Sequence, residues 1–201
     1  RIHARLKTTA GRHADLLDIL EKQSQIDPNL RPALQVEIAQ LLAGPLARPV
    51  EALETWKAVL DGEPTHPLAL AAVEAALADP DLRVTAAEIL RPVYGATAQY
   101  ARLARLQLLA SEWSDEPAAK LRALGDVVRL REYQLDDKAG AFDAQLLALQ
   151  HAATEPELPQ VVSETERLAG ELGREGDLID AYRAVAPNVL DSEIQRRLYL
   201  D

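Results

Sequence analysis

Breaks built from Pro, Gly and short Asp-Pro clusters recur along the chain, and the stretches between them carry apolar residues at spacings of three and four. That period marks a helix with one buried face, and the alternation expected of a strand is nowhere sustained. Asp27-Pro28-Asn29, Gly44-Pro45, Gly62-Glu63-Pro64, Asp79-Pro80-Asp81 and Pro187-Asn188 are the clearest breaks. Pro biases the residue before it away from the α region, so each ends one helix and frees the next to turn. A chain punctuated this way is expected to be all-α, built from short, closely linked helices.

The segments read as helices over 13–26, 30–42, 49–60, 67–78, 86–94, 99–113, 117–135, 138–152, 156–172 and 177–185, followed by a truncated helix at 190–201. That makes about eleven. Thr65 is a candidate cap for 67–78, and Thr85-Ala86-Ala87-Glu88 and Thr154-Glu155-Pro156-Glu157 have the pattern of a capping box. Gly95 reads as a helix stop and Gly173 to Gly176 as a loop. Composition agrees with this reading. Ala (35) and Leu (34) make up about a third of the 201 residues, while Val, Ile and Thr together (27) fall short of Ala alone. Unbranched side chains lose little rotamer freedom in a helix, so the balance favours helix over sheet.

A formal net charge of −10 makes nucleic acid an unfavourable partner, since phosphate contacts dominate that affinity. No apolar run approaches the roughly 20 residues of a membrane span, so membrane insertion is not expected. The absence of Cys removes thiol catalysis and thiolate metal sites and is compatible with cytoplasm and periplasm alike; the cytoplasm is the expected compartment. The chain opens on Arg1, contains no Met and runs to Asp201 within an amphipathic stretch. A segment of a longer protein, bacterial by its preference for Arg (17) over Lys (5), is therefore expected.

The helical rhythm also repeats. At an offset of 89 residues, Ile38-Ala39-Gln40-Leu41 falls on Val127-Val128-Arg129-Leu130, Ala52-Leu53 on Ala141-Phe142, Leu60 on Leu149, Pro67 on Pro156 and Val73 on Val162. At 87, Leu16 falls on Leu103 and Ile19 on Leu106. Units of approximately 11–97 and 98–189 follow, within a single solenoid fragment spanning 1–201. Ala52, Trp56, Val59 and Pro64 have the spacing of a small residue at a close helix crossing, a large interface filler and a terminating Pro. Ala141, Ala148 and Ala181-Tyr182 fit the same template.

On these residues the chain resembles tetratricopeptide-repeat proteins, in particular the degenerate repeats of long bacterial arrays. The resemblance covers most of the chain. It implies a right-handed α-α superhelix whose concave face binds a peptide, a partner helix or another copy, and it implies no catalysis. The expected function is thus a non-catalytic protein–protein interaction scaffold. The alternatives are a self-assembling structural repeat and a ligand-binding regulatory or enzymatic solenoid.

Each residue type that could carry chemistry also has a packing or surface role that competes with it. His3, His13, His66 and His151 share no spacing suited to a metal. Gly170, Gly173 and Gly176 lack the preceding strand that a phosphate-binding loop requires. No catalytic, cofactor or metal site is expected. Glu164, Glu166, Arg167 and Glu171 read as a solvated face. Trp56 reads as filler between paired helices, and Trp113 as packed against the next hairpin. The most suggestive polar group is Arg122, Asp126, Arg129 and Tyr133, whose spacing of four, three and four sets them on one stripe of the 117–135 helix. Arg suits bidentate capture of a carboxylate, and Tyr supplies contact area at low entropic cost. They are the candidate partner-binding residues. The competing reading is a ladder in which Arg122 pairs with Asp126 and Arg129 with Glu132.

Overall fold

The computed structural model describes residues 12–200, and among them there are eleven α-helices and no strand. The chain divides into two compact units, one ending at Ala98 and the other beginning at Gln99. No helix among the described residues is long and apolar enough to cross a membrane.

The first unit contains α1 (His13–Ile26), α2 (Arg31–Ala43), α3 (Pro49–Gly62), α4 (Pro67–Ala76) and α5 (Arg83–Ala96). Each packs on the next in sequence, and α5 also reaches α3. Pro49 and Pro67 open their helices, where a missing N–H costs no hydrogen bond. The cap of α4 is His66 rather than Thr65: its Nδ1 accepts from the Ala69 N–H at 3.3 Å. Leu16, Leu20, Ala39, Leu60, Val73 and Leu90 are all but sealed from solvent, and Trp56 is buried.

Helix α5 is longer than its sequence suggests. It begins at Arg83, so Thr85 lies inside it and caps nothing, and it runs past Gly95 to Ala96 with Pro92 in its interior. Burial explains both extensions. Leu82 and Ala86 are buried at one end and Val93 and Tyr94 at the other. Burying one large apolar side chain contributes about 1.5–3 kcal/mol, so a pair of them offsets the roughly 3 kcal/mol cost of an interior Pro.

The second unit contains α6 (Tyr100–Trp113), α7 (Pro117–Arg129), α8 (Lys138–Ala152), α9 (Leu158–Leu172), α10 (Glu175–Val185) and α11 (Ser192–Leu200). Trp113 is partly buried at the end of α6. Helix α7 does not continue regularly to Leu135: residues Leu130–Gln134 form a π-helical turn. Asp137 caps α8 by accepting from the Gly140 N–H at 2.8 Å. Helix α9 starts at Leu158 with no side-chain cap, so Thr154 does not close a capping box. Gly173 ends α9 in the left-handed region (φ 66°), which glycine enters without steric cost. Gly176 lies already inside α10.

The apolar faces of α7, α8 and α9 meet in two adjoining clusters. One gathers Val127, Val128, Phe142, Leu168 and Ala169. The other gathers Leu124, Leu149, Ala152, Val162, Tyr182 and Val185. Burial follows the 89-residue offset: Ile38 and Val127, Ala52 and Ala141, Leu53 and Phe142, Leu60 and Leu149, and Val73 and Val162 are buried in both units.

Candidate functional site

Short connections make α7, α8 and α9 run antiparallel in turn, so α7 and α9 point the same way with α8 beneath them. A cleft of about 710 Å³ lies between α7 and α9. Arg122, Asp126, Arg129 and Tyr133 all line it on the α7 side. Glu157, Gln160 and Glu164 line it on the α9 side, and Leu121, Val128, Ala148 and Val161 give the floor its apolar part. The four residues singled out in the sequence therefore share one wall. Their opposing wall was not legible, because it requires knowing which helix stands across from α7.

The internal pairing of the stripe differs from the ladder expected of it. Arg129 pairs with Asp126, and Asp126 also accepts from the Gln107 Nε2 at 2.7 Å. Arg122 and Glu157 form no ion pair with any described residue. Glu132 does not pair with Arg129 at all. The π-turn bonds residue i to i+5, as in the Leu135 N–H donating to the Leu130 carbonyl at 3.1 Å. Glu132 stands four residues after the buried Val128, on the apolar side of the helix, and is 8% exposed, while Tyr133 beside it remains 68% exposed on the rim.

Glu132 is answered from α9. Both of its oxygens accept from the Arg167 Nη2 at 2.8 Å. Arg167 also donates through Nε to Glu164 at 3.1 Å and through Nη1 to Glu171 at 2.6 Å. Lys138 at the start of α8 donates to Glu171 at 2.6 Å. The segment read as a solvated face is thus a network joining three helices, and only part of it meets water. Glu166 too has an inward partner, the buried Tyr182 hydroxyl, which donates to it at 2.9 Å. The acidic run gave one usable signal: an Arg flanked by Glu at three and four residues can collect several carboxylates when a neighbouring helix supplies another.

These contacts shift titrations in predictable directions. The hydrogen bonds from Lys138 and then Arg167 hold the Glu171 carboxyl below its ordinary value of 4.5. Bonding to Glu171 raises Lys138, and bonding first to Glu164 raises Arg167. Burial, with a smaller contribution from Lys120, holds the His151 imidazole below its ordinary 6.5. A depressed folded-state value means the unfolded chain takes the proton first, so stability is present above the unfolded value and lost as pH falls. Thermal melts are expected to show a first decline below about pH 6.5, from His151, and a second below about pH 4.5, from Glu171. In His151→Gln the first decline should shrink and the second persist. An unchanged first decline would assign it to other groups.

Among the described residues no group of three or more acidic or His side chains converges to hold a metal. His66 is committed to capping α4, His13 and His151 are partly buried and apart from each other in sequence and unit, and His3 lies outside the described residues. What the cleft offers is an apolar floor, an exposed Tyr, and charges of both signs along its walls. Comparison of the chain with protein-family models, with curated proteins and with solved structures gives no match.

Proposed function

We propose that the chain is a non-catalytic protein-interaction scaffold, a segment of a tetratricopeptide-like array, that holds a peptide or a segment of a partner protein in the α7–α9 cleft. The observation that carries this reading is the cleft itself: about 710 Å³ of solvent-open space, within the range of sites that bind ligands, beside an aromatic ring that is 68% exposed. Tyr is among the side chains enriched at binding hot spots, where a partner covers the ring and excludes water from it. The array-like character is supported by the burial pattern that recurs at 89 residues and by the small Ala52 and Ala141, both buried where paired helices approach.

Selection of a random-peptide library on the immobilised protein should enrich binders that depend on this wall. Tyr133→Ala and Arg129→Glu are each expected to weaken them about tenfold or more. Helicity and melting temperature should stay unchanged, because Tyr133 is exposed and the Arg129–Asp126 pair is a surface contact of little stabilising value. Enriched binders indifferent to both substitutions would place binding elsewhere and overturn the assignment.

A further inference from the structure

Arg167 fastens one end of the cleft. Glu132 on the π-turn and Glu164 on α9 both line the space. The Arg167 Nη2 donates to both oxygens of Glu132 at 2.8 Å, and Nε donates to Glu164 at 3.1 Å. The guanidinium is also held from behind, where Nη1 donates to Glu171 at 2.6 Å and Lys138 of α8 holds Glu171 in turn. A planar fork fixed by three carboxylates cannot swing away from Glu132 without giving up charge-assisted bonds, so it ties the position of α7 to that of α9.

No second polar contact does the same. Helices α7 and α9 each pack on α8 and share the apolar floor with it. Above that floor, among the described residues, no other hydrogen bond or ion pair joins α7 or its π-turn to α9. Roughly three turns earlier on each wall, about 15 Å along the axis, stand Arg122 and Glu157. Both are exposed, and neither is ion-paired with a described residue. One end of the cleft is fastened and the other is not.

The fold does not require the fastening. The turn after α7 recurs after α2 at the 89-residue offset: the Leu135 N–H donates to the Leu130 carbonyl and the Leu46 N–H to the Leu41 carbonyl, each at 3.1 Å. The Asp137 N–H donates to the Arg131 carbonyl and the Arg48 N–H to the Leu42 carbonyl, each at 2.8 Å, and Asp136 and Ala47 share a φ of 51°. On that common backbone the first unit has Ala43 in place of Glu132, Ala75 in place of Glu164, Ala78 in place of Arg167 and Leu82 in place of Glu171. A nearly buried ion pair contributes little net stability over apolar residues of similar volume, so its presence in one unit alone calls for another role.

Resting on the reading of the cleft as a peptide site, we propose that the Glu132–Arg167 pair is a strap. It fixes the separation of α7 and α9 at one end and holds the cleft ready for its ligand, while the Arg122–Glu157 end is the mouth that widens to admit it. Both strap residues are then positioning residues. A cleft held at its binding width binds with its intrinsic affinity, and one that wanders binds with that affinity reduced by the fraction of time it is competent.

The chain has no Cys, so Arg122→Cys with Glu157→Cys places two unique spin labels across the mouth. Arg122→Cys with Gln150→Cys gives a control pair across α7 and α8, which pack directly. Double electron–electron resonance reads both distance distributions in three backgrounds. These are the otherwise unaltered chain, Glu132→Gln, which keeps the side-chain shape without the charge, and Glu132→Leu with Arg167→Met, which removes the strap without stranding a charge. The mouth distribution is expected to broaden in Glu132→Gln and further in the double substitution, with the control pair unchanged. An unchanged mouth in the double substitution would show that the apolar floor alone sets the width and would overturn the strap. Broadening of both pairs would mean that the helices loosen together, and would overturn it likewise.

Affinity supplies a second arm, with a peptide taken from the random library for its dependence on Tyr133 as the probe. The double substitution should weaken it about tenfold through the association rate, because a smaller competent fraction slows capture whereas lost contacts speed release. A loss carried by the dissociation rate would make Glu132 a contact residue and overturn the positioning role. If the library yields no peptide that depends on Tyr133, the peptide reading fails, and the distance distributions still decide the strap.

Discussion

Truncation of Phe142 to Ala is expected to cost the second unit about 3–5 kcal/mol, the largest stability effect of any single substitution proposed for it. The ring is fully buried where three helices meet, against Val127 and Val128 from α7 and Leu168 and Ala169 from α9. Its near neighbours Ala141, Ala144 and Ala169 are too small to swing into the space it would leave, so the cavity would persist. The Arg174 guanidinium, 4.6 Å from the ring centroid, adds a cation–π contact that ends with the ring. Arg174 also holds Asp143 at 2.8 Å and Asp177 at 2.5 Å, tying α8 to α10, and that clasp is expected to loosen. Phe142→Leu should recover part of the loss, because the corresponding buried residue of the first unit is Leu53. Urea unfolding followed by circular dichroism measures the difference. A loss below about 1 kcal/mol would mean that the three-helix junction collapses around the gap.

Arg167→Met is expected to destabilise the second unit by about 2–3 kcal/mol, somewhat less than a fully buried pair because Arg167 is itself 34% exposed. Most of that loss comes from the carboxylate left behind. Glu132 is nearly sealed from water and both its oxygens depend on the one guanidinium nitrogen. Glu164 and Glu171 meet solvent and can be rehydrated, so their share is small. Removing the orphaned charge as well, in Glu132→Leu with Arg167→Met, should restore most of the stability, since two apolar groups of similar volume need no partner. Arg167→Lys should restore little, because a single ammonium cannot reach three carboxylates held around a planar fork. If the double substitution were as unstable as Arg167→Met alone, the cost would lie in lost packing of the Arg stem and not in the stranded charge.

Local structure was largely legible from residue order. The breaks at Pro28, Pro45, Pro64 and Pro80 fall between helices, and Pro49, Pro67 and Pro117 stand at helix starts. Those positions follow from a ring that fixes φ and a missing N–H, which act within a residue or two. Burial of Trp56, Ala141 and Leu149 was legible for the same reason, because three- and four-residue spacing settles which side of a helix is apolar. Legibility failed where burial at a distance outweighed local signals: α5 runs through Pro92 and Gly95, and Thr85 and Thr154 cap nothing.

The site divides along the same line. That Arg122, Asp126, Arg129 and Tyr133 lie together follows from helical period alone, and the cleft contains all four. Sequence by itself could also determine that the chain is helical and where most of the breaks between its helices fall. Only tertiary structure decided that α9 stands opposite that stripe, that Glu157 and Glu164 face it, and that Arg167 comes to meet the inward Glu132. Helical period is a property of neighbours in the chain, set by backbone geometry that every residue shares. Which charges meet depends on two helices 35 residues apart settling into one register, and that is set by how their apolar faces pack on α8.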